Sequence, residues 1–597
     1  MRILALVLLN LTLWILPVQA QLWSSVLDPS RAIDWTQAGI PGGIPNRTTI
    51  CTTLNSPGAT IDATSLIQNA LNACATNGVV LLNPGTFRIN SNVSIPSNRV
   101  LRGSGPQQTI LDLRGSGSAI NFGASQPSPG TANSITAGAT KNSTSITVSG
   151  SGIASGQLLM ISHPDLSYMT PQGDSGLCDW CDAGWPGNMN SGQIVMVTSV
   201  AGSTVTFSPP LYITYTNPTA YRFNVGATNA GLENLKLFGN PSTYTTNASM
   251  TGAYRCWVKN VEGDFSNGDH IQIWWSLQNE IRDNYFHDGF NHGPGGTDND
   301  LNLAHKTSAT LVINNIFYRQ HVSVMLEWGA SGNVVAYNYS TGSYHQDWLV
   351  WMINDFNFHG AHPMMNLFEG NIGDKFQPDS TWGSSSHTTI FRNHFTGSRQ
   401  YIPPLNARGA LQTGSATWED ANSFAYTIDF LAQFTNAVGN ISGSAHLLGR
   451  SPASFTISPV AGGSNPACWR IGYLSGNDAA SSLINADSTM FKHGMYDCNT
   501  GAITWDAGHP DHTLPASFFL SLKPSWWGTV PWPAIGPDVT GGNISNVNGH
   551  ANKIPAQLCL ENTPKDANGF IVFNPTVCYT GSGDASPPAA PTGLQVQ

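Results

Sequence analysis

An asparagine set among apolar residues returns along the middle of this chain at steps whose minimum lies in the low twenties. It stands at Asn234, Asn260, Asn284, Asn315, Asn338, Asn371, Asn393 and Asn440, and the steps are 26, 24, 31, 23, 33, 22 and 47 residues. A period of this size marks a solenoid, and 22–24 residues suit one coil of three short strands. Longer steps read as the same coil carrying an inserted loop. Stacked coils repeat every ~4.8 Å, so one inward asparagine per coil can bond its neighbours and satisfy each buried amide. The leucine pattern of leucine-rich repeats is absent.

The residues ahead of the repeat supply an end cap. Asp62 to Cys74 has helical spacing, with Ile67, Leu71 and Cys74 on one face. Short strand signals follow at Val79–Leu82, Pro84-Gly85-Thr86-Phe87, Val93–Ile95 and Val100–Gly105. A solenoid leaves an open apolar end, and a helix closes it. This D-x-T-x-x-I-Q-x-A helix, the P-G-T-F strand and the asparagine ladder together resemble the pectate-lyase-like superfamily, secreted bacterial type. The resemblance implies an all-β, right-handed parallel β-helix that handles a polysaccharide. The polygalacturonase catalytic motifs are missing, so it carries over no catalytic residue.

The expected organisation is a signal peptide at 1–20, the cap and first coils at 21–132, and an inserted small β subdomain at 133–223. The core of the helix follows at 224–440, an irregular wrap at 441–582, and a linker at 583–597. Arg2, the apolar run Ile3–Leu16 and the small-residue end at Ala20 read as an export signal. No stretch is long enough for a membrane span. Nine cysteines in an exported chain predict disulfides and one leftover thiol. The near neighbours are Cys51–Cys74, Cys468–Cys498 and Cys559–Cys578. Cys178 and Cys181 read as a small loop closure within the long Asp165–Asn190 loop, which also holds Asp179, Trp180, Asp182 and Trp185. Cys256 is the odd one. A net charge of −10 excludes nucleic acid as partner, because phosphate binding needs a basic footprint. The chain is expected to be a secreted monomer.

The candidate site lies on strands at a fixed offset before the ladder: His270–Trp275, Asp300–His305 and Ser323–Trp328. With Ile271/Ile273, Leu301/Leu303 and Val324/Leu326 inward, alternation turns His270, Gln272, Trp274, Asp300, Asn302, Ser323 and Glu327 outward. Glycoside hydrolysis needs one protonated and one ionised carboxyl group. Asp300 and Glu327 are the first pair, with Asp298, Asp347 and Asp355 in reserve, although this register separates the pair by roughly 14 Å. Glu327 beside Trp328 suits the acid. His305 and Lys306 would orient substrate, or act as base in a uronate lyase, which would add a calcium ion. Gln272, Trp274, Asn302, Trp328, Tyr344, His345 and Trp348 are the expected sugar contacts, with His270. Trp351 and Trp382 are assigned to the core. No cofactor and no metal are expected. A zinc set drawn from His359, His362 and Asp355 has a structural reading that outweighs it. A glycoside hydrolase leads, with a polysaccharide lyase or a non-catalytic glycan binder or adhesin as alternatives.

Overall fold

The computed structural model describes residues 21–579, except 124–130, 182–188, 241–243, 294–298, 346–351, 401–417, 420–421, 449–454, 458–466, 474–484 and 499. The expected signal peptide and linker lie outside the described residues.

Three long parallel sheets of twelve, ten and eleven strands run the length of the molecule, each coil giving one short strand to each. This is a parallel β-helix. The cap is the helix Thr64–Ala73, whose Ile67 and Leu71 are buried, and Asp62 accepts a hydrogen bond from Thr64 N at 2.9 Å. Between the strands Gly117–Phe122 and Tyr244–Thr251, which pair directly, the chain leaves the solenoid. It forms a closed six-strand antiparallel barrel from Asn133 to Phe223. The barrel docks through Leu158, Met160, Ile194 and Phe223 onto the solenoid's Trp275, Leu277 and Ala309.

The asparagine ladder runs through Asn284, Asn315, Asn338, Asn371, Asn393 and Asn440, with amide-to-carbonyl distances of 2.9–3.0 Å. Each rung also donates to a main-chain carbonyl, as Asn315 does to Ile281 O at 3.0 Å. Asn260 was expected on this stack and is not. Asn234 and Asn260 bond each other one residue earlier, at φ 54° and 58°, and Leu235 and Val261 fill the ladder position. That earlier column has positive φ in successive coils (Asp283, Asn314, Tyr337 and Arg392). Asparagine tolerates the left-handed region, so two adjacent columns recruit the same residue for different reasons. A second ladder at another corner includes Asn333 and Asn366.

The solenoid also extends beyond 440. Ala467–Tyr473 pairs with Phe424–Asp429, and Phe491–His493 pairs with Asn436–Val438. The irregular wrap follows. Its Phe518 stacks on Phe391 with ring centres 3.8 Å apart, and Asp538 clamps Arg392. The helix Pro555–Asn562 lies against Ile316–Tyr318 of the ten-strand sheet. The N-terminal segment adds Trp35, whose indole donates to Met365 O. Cover therefore gathers on the twelve- and ten-strand sheets, and the outer face of the eleven-strand sheet carries the polar rows described next. Disulfides join Cys51–Cys74, Cys178–Cys181, Cys468–Cys498 and Cys559–Cys578, and Cys256 is free and buried. Among the described residues no helix is long and apolar enough to cross a membrane.

Candidate active site

On the eleven-strand sheet, Ile271/Leu301/Val324/Phe356 and Ile273/Leu303/Leu326/Phe358 stack inward in register. The residues between them form an outer row of Gln272, Asn302, Met325, Asn357 and Gln377. A second outer row begins with the paired Trp274 and Ala304 and continues with the paired Glu327 and His359. Asp379 follows Pro378, which pairs with Phe358, and so occupies the next place.

Within these rows the side chains bond in several separate groups. Trp274 Nε1 donates to Asn302 Oδ1 at 3.0 Å, and Asn302 Nδ2 donates to Glu327 Oε2 at 2.8 Å. His359 Nδ1 lies 2.9 Å from Asp379 Oδ2, which also accepts from Asn357 at 3.1 Å. Gln377 donates to Asp429 Oδ2 at 2.8 Å, and Arg470 reaches Asp429 from the next coil at 3.9 Å. Asp269 accepts from Asn299 and Gln272 at 3.2 and 3.3 Å.

The environment pushes the acids apart. Burial raises Glu327, against His359 and the Asn302 amide, and Asp379 adds to the rise. Burial pushes Asp429 up to about 7, against the Arg470 charge, and Asp269 up to about 8. Asp379 goes the other way: burial opposes its charge, but His359 and its hydrogen bonds hold it below the ordinary carboxylate value. His359 is held up at about 9, because Asp379 and Glu327 outweigh its burial.

One edge is aromatic. Trp180 meets Trp328 at 5.3 Å and Trp382 at 6.0 Å between ring centres, and stacks on His359 at 6.0 Å. Trp274 meets Trp328 at 5.4 Å. Trp180 sits inside the Cys178–Cys181 disulfide loop. Gly360, at φ 82°, gives this loop its seat, because a Cβ there would lie 2.9 Å from Trp180 and 3.0 Å from Cys181 Sγ. Trp382 belongs to this wall, half-buried, and not to the solenoid core.

The structure moves several expected residues off the surface. Alternation alone turns His270 and Asp300 outward. Both are fully buried, with Nε2 3.7 Å from Oδ1. His270 bonds Asn247 and Gln320 inside the corner and packs over Gly263. Ser323 likewise turns inward to Ser340. The strict alternation fails because these strands begin at a corner, where the chain bends and the pleat is lost. Asp269 instead bonds Gln272 of the outer row, and Asn299 bonds Asp269. His305 lies among Trp275, Trp328 and Trp274 at 3.8, 4.0 and 4.8 Å, and burial holds it neutral, well below its usual value. Lys306 is buried beneath Gly192 of the barrel and Gly329. Tyr344 is buried in a stack with His292. His345 approaches His321 at 5.7 Å. Asp355 is buried and accepts from Ser340, Ser343 and Arg399. His362 is held between Ser384 and Ser386. The histidines and Asp355 of the drawn zinc set thus serve three different networks. Asp298, Asp347, Trp348, Trp351, Asp182 and Trp185 lie outside the described residues. Of the expected site residues, Gln272, Trp274, Asn302, Glu327 and Trp328 come together. The sequence offered no groove role for Asp379, Asp429 and Asp269, and placed His359 only in the drawn zinc set.

No protein-family model matches this chain, and no curated protein matches it. Solved structures similar to it include the tailspike gp61 of Pseudomonas phage phi297, at 12% identity and TM-score 0.36, over 67% of this chain and 71% of that one. The catalytic domain of a GH87 α-1,3-glucanase in complex with nigerose is similar at 12% identity and TM-score 0.32, over 73% and 66%. The surface adhesin PfbA of Streptococcus pneumoniae is similar at 10% identity and TM-score 0.32, over 66% and 88%.

Proposed function

We propose that this protein is a secreted glycoside hydrolase that cleaves a polysaccharide along the outer face of the eleven-strand sheet. The observation that carries the reading is an ionised Asp379 and a burial-raised Glu327 in one outer row, on either side of His359. Paired carboxyl groups pushed in opposite directions are what acid–base cleavage of a glycosidic bond requires. Glu327 donates the proton to the leaving oxygen, and Asp379 activates a water on the opposite face of the sugar. The two strands lie two coils apart, ~10 Å between backbones, close to the ~6.5–9.5 Å carboxyl spacing of inverting enzymes. We therefore assign inversion. The tryptophan wall offers flat apolar faces to pyranose rings.

The lyase reading is less favoured, since burial holds the His305 imidazole well below its usual value and so makes it a weak base, and Lys306 lies beneath Gly192 and Gly329. Digestion of a glycan panel tests the assignment. New reducing ends without the ultraviolet absorbance of an unsaturated uronate support hydrolysis. Both signals together mean a lyase. Retention on a glycan with neither signal means a binding protein. Proton NMR of the first-formed anomer reads the stereochemistry, and a retained configuration would replace Glu327 by Asp429, one coil from Asp379.

A further inference from the structure

Three histidines gather where three successive coils turn into the eleven-strand sheet. His292 and His321 have ring centres 6.3 Å apart at 84°, and His321 and His345 are 5.7 Å apart at 46°. All three are buried. Both nitrogens of His321 are shielded from solvent and make no hydrogen bond. An imidazole buried without partners is costly, and such a group in a native fold calls for a bound water or ion. His292 shows the complementary feature. Its Nδ1 lies 2.9 Å from Tyr344 O, so this nitrogen carries the proton and Nε2 keeps its lone pair. A histidine that ligates a metal commonly donates its other N–H to a backbone carbonyl. The Gly289 carbonyl is the other backbone group that bears on this ring, and more weakly.

We propose that His292, His321 and His345 bind one divalent transition-metal ion of the zinc class. Neutral imidazoles select zinc, cobalt, nickel or copper over calcium and magnesium, which take oxygen ligands. Two imidazoles sharing a tetrahedral ion at ~2.0 Å place their ring centres ~5 Å apart, so the rings close by about 1 Å when the ion enters. Among the described residues, only Glu262, Asp264 and His287 bring three ligand atoms within 4.8 Å of one another, so the three histidines must draw together to share an ion. In that group Lys236 Nζ already balances the carboxylates, 2.6 Å from Glu262 and 3.5 Å from Asp264. The ion would fix the corner that sets Val322 and the start of the groove strand Val322–Glu327. The proposal is independent of the hydrolase reading.

The test uses the full chain, stripped with a chelator and dialysed. Cobalt(II) is titrated while visible absorption is followed, and zinc(II) is titrated by calorimetry. One ion per chain with a tetrahedral cobalt band is expected. His321→Gln and His292→Gln should each weaken it by ~100-fold or more while the thermal melt of the apoprotein stays cooperative. A second histidine group, with His493 4.7 Å from His509 and 5.9 Å from His512, serves as control. His509→Ala should leave the tight site intact. Absence of a tight site, its survival in the His321→Gln or His292→Gln variant, or its loss in His509→Ala overturns the proposal.

Discussion

His359 and Asp379 hold each other charged: Nδ1 lies 2.9 Å from Oδ2, the imidazole is raised to about 9 and the carboxyl is held below its ordinary value. Both face the groove beside Glu327, on which His359 also acts. The pair keeps one carboxylate ionised in a buried row whose other acids are pushed toward protonation.

Removing that charge should silence the site without unfolding it. Asp379→Asn keeps the shape and loses the base, and Glu327→Gln loses the acid. Each should lower kcat by ~10²–10⁴-fold on the true glycan. In Asp379→Asn the His359 imidazole should also titrate well below about 9, read by NMR. Full activity in both variants would refute the assignment.

The pH–rate profile follows from the same shifts. Activity should rise as Asp379 ionises, below the ordinary 3.8, and fall as Glu327 deprotonates, above the ordinary 4.5. An optimum between these limbs is expected. Glu327→Gln should remove the alkaline limb from whatever rate remains, and an unchanged limb would point to Asp429 as the acid.

The aromatic wall gives a binding effect separable from chemistry. Trp180→Ala should raise KM by about 10-fold with kcat nearly unchanged, the size of one lost stacking contact. Cys178→Ser should act in the same direction, because the disulfide loop places Trp180. A loss confined to kcat would argue that Trp180 shields the acid rather than holds sugar.

The ladder is a stability prediction. Asn315→Leu should cost ~1–3 kcal/mol, because Asn284 and Asn338 lose partners inside the solenoid. Asn260→Gly should be nearly neutral, since Asn260 sits outside the ladder at positive φ, which glycine adopts freely. Equal costs in urea melts would mean that the two columns do not differ.

These two asparagine columns explain how much the sequence disclosed. The period, the cap helix and the cysteine pairs are local patterns, and they carried the solenoid and its disulfides. The register of Asn234 and Asn260 was not legible, because ladder and left-handed positions are adjacent and favour the same residue. The site was half legible for a related reason. Alternation located Gln272 and Asn302 in mid-strand and Trp274 and Glu327 at the strand ends, and failed at His270 and Asp300, beside the strand starts at a corner. Asp379 and Asp429 were within reach. Phe356-Asn357-Phe358-His359 and Phe376-Gln377-Pro378-Asp379 repeat the same alternation one and two coils on, beyond the three strands first considered.

Asp269 supplies the last prediction. Burial pushes it from 3.8 up to about 8, with Glu327 adding to the rise and the Asn299 amide opposing it. The folded state therefore binds more protons than the unfolded chain between those values. Stability from this group is fully present below pH ~4 and is lost as pH rises toward about 8. The steepest slope one such group can impose is ~1.4 kcal/mol per pH unit. Asp269→Asn keeps the shape and removes the titration, so its stability relative to the parent should grow from pH 5 to pH 9. Part of the slope should remain, since Asp429, raised to about 7, titrates in the same window. Urea melts of both proteins at pH 5, 7 and 9 measure the difference. Parallel profiles would show that Asp269 is ionised in the folded groove, and the acid–base pair would then have to be sought nearer the Asp269 end of the sheet.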